Sequence, residues 1–177
     1  MSQIRLADTF RTEAVSCLEK YSPRVVRCLE LLGDEEIWWR PNGASNAAGN
    51  IVLHLCGNVR QWIGAGLGGK KDERRRDAEF AEHRQIPRGE LILLFESTVK
   101  QACCSIMELP DEELSKTFSI QGYAVSGMAA ISRVCEHFAY HSGQIIFLTK
   151  LKLGKDLGFT QLPSYEETGE RGLPGRP

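Results

Sequence analysis

Along the N-terminal stretch, apolar residues recur at intervals of three and four: Leu6, Phe10, Ala14, Leu18, Tyr21, Val25, Cys28, Leu29 and Leu32. That spacing lines one face of a helix, predicted from Ile4 to Leu32. Pro23 lies inside it, lacks a backbone donor and crowds the preceding turn, so a kink is expected near Tyr21 and Ser22. Gly33 stops the run, and Asp34 is placed to cap a short turn at Glu35 to Ile37.

The same period returns three more times. After the turn-rich WWRPNGASNAAGN, a second helix is expected from about Ala47 to Ile63, with Ser45 or Asn46 as its N-cap and Ile51, Leu55, Val59 and Trp62 as its stripe. The glycines of GAGLGG end it. A third helix begins near Pro87, carries Leu91, Leu94, Phe95, Val99, Ala102 and Ile106, and stops at Leu109-Pro110. Asp111 to Glu113 suit a short helical turn, and TFSIQGYAVS reads as a loop with a brief extended piece at Phe118 to Ile120. The fourth helix runs from Gly127 to Leu153 on Ile131, Val134, Cys135, Phe138, Ile145, Leu148 and Leu151.

Between helices two and three, KKDERRRDAEFAEHRQIP is polar and of mixed sign, which predicts a long solvated crossover that would let those two helices lie parallel. Four long helices with no sustained alternating strand predict an all-α four-helix bundle. It is read as one domain over residues 1–177, with a loosely packed tail from about 154.

Composition changes little in this picture. The chain has 177 residues, 42% of them hydrophobic, with 22 Lys and Arg against 23 Asp and Glu. No basic field favours nucleic acid or an anionic membrane, and no apolar run approaches the roughly 20 residues of a spanning helix. With no signal-like segment at the N-terminus, a cytoplasmic protein is expected. The six cysteines form no CxxC pair and read as reduced, apolar residues.

HFAYHSGQ, residues 137–144, is where chemistry enters, because it holds two of only four histidines. Residues four apart on a helix are offset by about 40°, so His137 and His141 project from one face and can share an ion. A catalytic divalent metal commonly takes three protein ligands and keeps an open position. His54, near the middle of helix two, is the natural third. Asn58 and Gln144 sit on the faces of His54 and His141 and are candidates to orient a ligand or substrate. Glu136 points about 100° away from His137, so no general base is evident.

Other motifs carry less. GAGLGG satisfies GxGxxG but closes a helix instead of opening one after a strand. RRR at 74–76 is interleaved with acids and reads as a solvated loop, as does His83 among Glu82, Arg84 and Gln85. Trp38 and Trp39 read as anchors of their loop. Cys103 and Cys104 point about 100° apart on a helix, so packing is the expected role.

The segments GNIVLHLCGNVRQWI (49–63) and CEHFAYHSGQIIFLTKL (135–151), preceded by IWWRPN (37–42), resemble the DinB/YfiT-like superfamily of metal-binding four-helix bundles, in one of its bacterial branches. The resemblance spans essentially the whole chain and is most specific in HxxxHxxQI, matched by His137, His141, Gln144 and Ile145. It implies up-down-down-up helices, a divalent metal, nickel or zinc, on His54, His137 and His141, and homodimers. It further implies a small-molecule substrate and the use of a low-molecular-weight thiol, hence a metal-dependent thiol S-transferase or a hydrolase. The alternative is a non-catalytic metal-binding or self-associating bundle.

Overall fold

The computed structural model describes residues 6–82 and 86–159, so the expectations for His83 and for the end of the tail lie outside it. Helix α1 spans Leu6–Leu31 and passes through Pro23 without a break. After the short α2 (Asp34–Ile37) come α3 (Ala48–Val59), its π-helical continuation Arg60–Leu67, and α4 (Arg76–Ala81). Then follow α5 (Arg88–Glu108), α6 (Asp111–Ser115), the strands β1 (Thr117–Ile120) and β2 (Tyr123–Ser126), and α7 (Gly127–Leu153).

The four long helices pack in the cyclic order α1, α5, α3, α7. Their apolar stripes meet in one core that includes Leu18 and Leu29 of α1, Leu55 of α3 and Ile131 of α7, with the rings of Phe95 and Phe138 stacked 5.7 Å apart. Each such fully buried side chain contributes about 1.5–3 kcal/mol. Two residues at the ends of the expected stripes behave otherwise: Leu6 and Leu151 are exposed. Leu157 and Phe159, beyond α7, rest against the core.

Polar residues fix the helix ends. Arg11 is buried and joins α1 to α6, donating to the Leu109 carbonyl and to the carboxylates of Asp8 and Asp111 at 2.6–3.0 Å. The caps of α2 and α3 differ from expectation. Gly33 caps α2 by donating its N–H to Glu36 Oε2, while Asp34 accepts from the Arg88 N–H at the start of α5. Ala47, not Ser45 or Asn46, precedes α3, because Asn42 holds the Ser45 hydroxyl and the Ala44 N–H within the loop. Ser126 caps α7, accepting from the Ala129 N–H.

Two segments expected as irregular have structure. TFSIQGYAVS is an antiparallel hairpin in the register Thr117↔Ser126 to Ile120↔Tyr123, turned by Gln121 and Gly122, both at positive φ. Its alternation is too short to stand out in the sequence, and Ile120 alone is buried from it. The crossover is exposed along most of its length, as expected, but it does not hang free. It folds back onto α3 as α4, because Asn50, fully buried in α3, donates to the carbonyls of Glu79, Phe80 and Glu82, and Arg40 donates to Phe80 and Asn50.

At the start of α7, the backbone of Gly127 lies so close to α6 that a Cβ there would meet the Glu113 carbonyl oxygen at 2.3 Å. Gly127→Ala is therefore expected to force α6 and α7 apart and to cost about 1–3 kcal/mol. Urea unfolding of the variant should show a lower midpoint with the slope retained.

Candidate metal centre

His54, in the middle of α3, meets His137 and His141, one turn apart on α7, because α3 and α7 pack side by side. The ring centroids lie 4.4–4.9 Å apart pairwise. One nitrogen from each ring can be chosen so that the three lie within 4.8 Å of one another. His54 Nε2 faces His137 Nε2 at 3.1 Å. Two imidazole nitrogens hold that distance only with a proton or a cation between them. Tetrahedral zinc with bonds of 2.0–2.1 Å spaces its donors about 3.3 Å apart, so the pair stands at coordination spacing.

The other nitrogens decide which atoms face inward. His54 Nδ1 lies 2.9 Å from Glu79 Oε2 and 3.1 Å from an Arg74 guanidinium nitrogen. Arginine cannot accept, and its own N–H groups already reach Glu79 at 2.7 and 2.9 Å. The network therefore places the Nδ1 proton toward the carboxylate and leaves the Nε2 lone pair free. His141 Nδ1 likewise donates to Gln144 Oε1 at 2.7 Å. His137 Nδ1 is buried without a partner among the described residues.

Gln144 thus reaches the outer nitrogen of a histidine. Asn58 does not: its Oδ1 is buried and unpartnered among the described residues, and the side chain forms wall of an adjoining cavity. Cys56 and Cys135 stand apart from the cluster, and burial pushes their thiols up to about 11 and about 12.

Glu79 and Arg74 are the functional residues that sequence reasoning missed. Both come from the crossover and both are nearly buried, their side chains 10% and 5% exposed. Burial pushes the Glu79 carboxyl up, but its hydrogen bonds with His54 and Arg74 outweigh that and hold it below the usual carboxylate range. A carboxylate behind a histidine fixes ring orientation and raises basicity. The signal available was Gly57, an unfavourable residue in a helix interior. A Cβ there would stand 1.8 Å from Glu79 Oε1 and 3.0 Å from Arg74 Nε.

The cavity measures about 230 Å³, with His54 and His137 in its wall. A larger one, about 560 Å³, is lined by parts of α3, the π-helical segment, the crossover and α5, with Arg74 and Glu79 in its wall.

Residues 5–164 match a family model described as "Protein of unknown function (DUF1572)". The chain belongs to that family, which is DinB-like. Its fold is similar to that of a DinB-like protein, YjoA, from Bacillus subtilis, at TM-score 0.63 and 18% identity, covering 86% of this chain and 96% of that one. A DinB-like protein from Bacillus cereus ATCC 10987 is similar at TM-score 0.62 and 15% identity, covering 80% and 91%. A mycothiol-dependent maleylpyruvate isomerase is similar at TM-score 0.62 and 14% identity over 76% of this chain, which spans only 60% of that protein's length. No curated protein matches the chain in sequence.

Two outcomes test this architecture. Gly57→Ala should expel Glu79 and Arg74 from α3, and amide hydrogen exchange across residues 72–81 should quicken while that of α1 and α5 stays unchanged. Acid should destabilise the metal-free protein. Burial, with the neighbouring His141 and His54, pulls His137 down to about 3, and burial lowers His141 as well. The unfolded chain therefore binds more protons than the folded one between about pH 6.5 and 3, so the stability is full above that window and is lost as pH falls through it. Depressed Glu79 adds a loss of the same sign from about pH 4.5 downward. Urea midpoints measured from pH 8 to pH 4 should fall, and His137→Gln should flatten the upper part of that fall.

Proposed function

We propose that this protein is a divalent-metal-dependent enzyme in which His54, His137 and His141 hold one ion, zinc or nickel suiting an all-imidazole set. The observation that carries the reading is that the three imidazoles converge beside a cavity instead of inside a closed core. When bound, such an ion lowers the pKa of a water or thiol at an open position and supplies a nucleophile near neutral pH.

The protein's own groups do the positioning. Glu79 accepts the hydrogen bond of the His54 Nδ1–H and aims Nε2 at the cluster; Arg74 keeps Glu79 ionised. Gln144 does for His141 what Glu79 does for His54. The reaction class best supported is transfer of a low-molecular-weight thiol to a small electrophile, with hydrolysis the nearest relative. Two facts support it: a fold neighbour is named as mycothiol-dependent, and among the described residues the cavity wall offers no carboxylate to act as base toward water. A thiol, more acidic than water, needs none.

Metal analysis of purified protein should find about one ion per chain, lost in the triple variant His54→Ala/His137→Ala/His141→Ala; unchanged content in that variant would rule the site out. Glu79→Gln should retain the fold and weaken metal affinity about 10–100-fold. A cobalt-loaded protein whose absorption spectrum ignores added thiols would point instead to a non-catalytic metal-binding bundle.

A further inference from the structure

The wall of the cavity beside the histidines holds two arginines that no acid among the described residues pairs with. Arg133 forms part of its wall, one helical turn before His137 on the same face of α7. Its guanidinium carbon lies 5.3 Å from the Trp62 ring and 4.8 Å from the Tyr123 ring. It makes no ion pair with any acid among the described residues, whereas Arg74 is neutralised by Glu79. Arg76, also in the wall, lies over Phe80 and is likewise unpaired. Among the described residues no Asp or Glu contributes to the wall.

Aromatic faces on a guanidinium restrain its plane while leaving its N–H edge free. A restrained fork of this kind suits the two coplanar oxygens of a carboxylate, which it can bind bidentately. The volume, about 230 Å³, falls below the roughly 300–1,000 Å³ of sites that enclose drug-sized ligands. Trp62 and Asn58 add two buried polar atoms, Nε1 and Oδ1, that have no partner among the described residues. Gln121 and Tyr123 bring the hairpin to the rim, with Gln121 hydrogen-bonded to Gln61 of the π-helical segment.

We infer that Arg133, supported by Arg76, is the specificity-determining anchor of this cavity, and that its ligand is a small carboxylate-bearing molecule whose other end reaches His137. This names the substrate class of the site proposed above and rests on that reading only for what happens at the histidine end. The anchor itself is built from Arg133, Trp62 and Tyr123 and works whether or not an ion is present.

The test is binding, not turnover. Metal-free and zinc-loaded full-length protein are titrated with propionate, succinate and inorganic phosphate, followed by calorimetry and by the Arg133 Nε–H resonance in nitrogen-15 spectra. Saturable carboxylate binding that shifts this resonance is expected, weakened about tenfold or more in Arg133→Gln and partly kept in Arg133→Lys. Since Arg133 is exposed, both variants should fold, as circular dichroism can verify. The inference is overturned by carboxylate binding equal in wild type and Arg133→Gln, by no saturable carboxylate binding in either form, or by phosphate binding that carboxylates do not displace. A protein that takes up no metal yet binds succinate through Arg133 would end the metal reading and support this one.

Discussion

The contact on which the candidate site depends is the one between His54, Glu79 and Arg74. A bundle of four amphipathic helices would form from its apolar stripes alone, but it would leave the His54 ring free to turn and its Nδ1 proton without a fixed acceptor. The crossover supplies both orientation and polarity by returning to α3 as α4. Taking a carboxylate and a guanidinium out of water is costly unless every lone pair and proton finds a partner. Here Glu79 accepts from two side chains, Arg74 also reaches Gln61, and Asn50 holds the backbone of the same segment. The pair is tolerated where it is because Gly57 leaves the space.

The scaffold was largely readable from periodicity. The boundaries of the fourth predicted helix, Gly127 and Leu153, are those of α7, since a capping serine and a terminating glycine bracket an unbroken apolar stripe. His54, His137 and His141 could be singled out because fixed helical spacing converts sequence distance into direction. What stayed hidden depends on contacts between segments distant along the chain. Glu79 sits in a run of alternating charges where nothing local separates a buried acid from a solvated one. Arg133 looks like any exposed helical arginine until the hairpin delivers Tyr123 to it. The hairpin has four residues per strand, too few for alternation to outweigh turn residues.

The two ends of the cavity solve different physical problems. At the histidine end, acceptors on the outer nitrogens of His54 and His141 hold those two rings, and burial keeps His137 from taking a proton at ordinary pH. At the arginine end, the Arg133 guanidinium lies against aromatic rings and pairs with no acid among the described residues. An uncharged polar ligand would satisfy neither end fully.

The π-helical stretch from Arg60 to Leu67 has a bearing on how this chain tolerates change in length. On a regular helix Trp62, eight positions after His54, would have rotated about 80° past it. Wider turns advance each residue through a smaller angle, so the indole swings back toward the histidine's side and into the wall under Arg133. Losing one residue from this stretch would restore ordinary winding, at no evident harm to local hydrogen bonding, yet would carry the indole off its station. The excess residue is thus a spacer kept by the demands of the pocket, and shortening here should spare the bundle while dismantling what it frames.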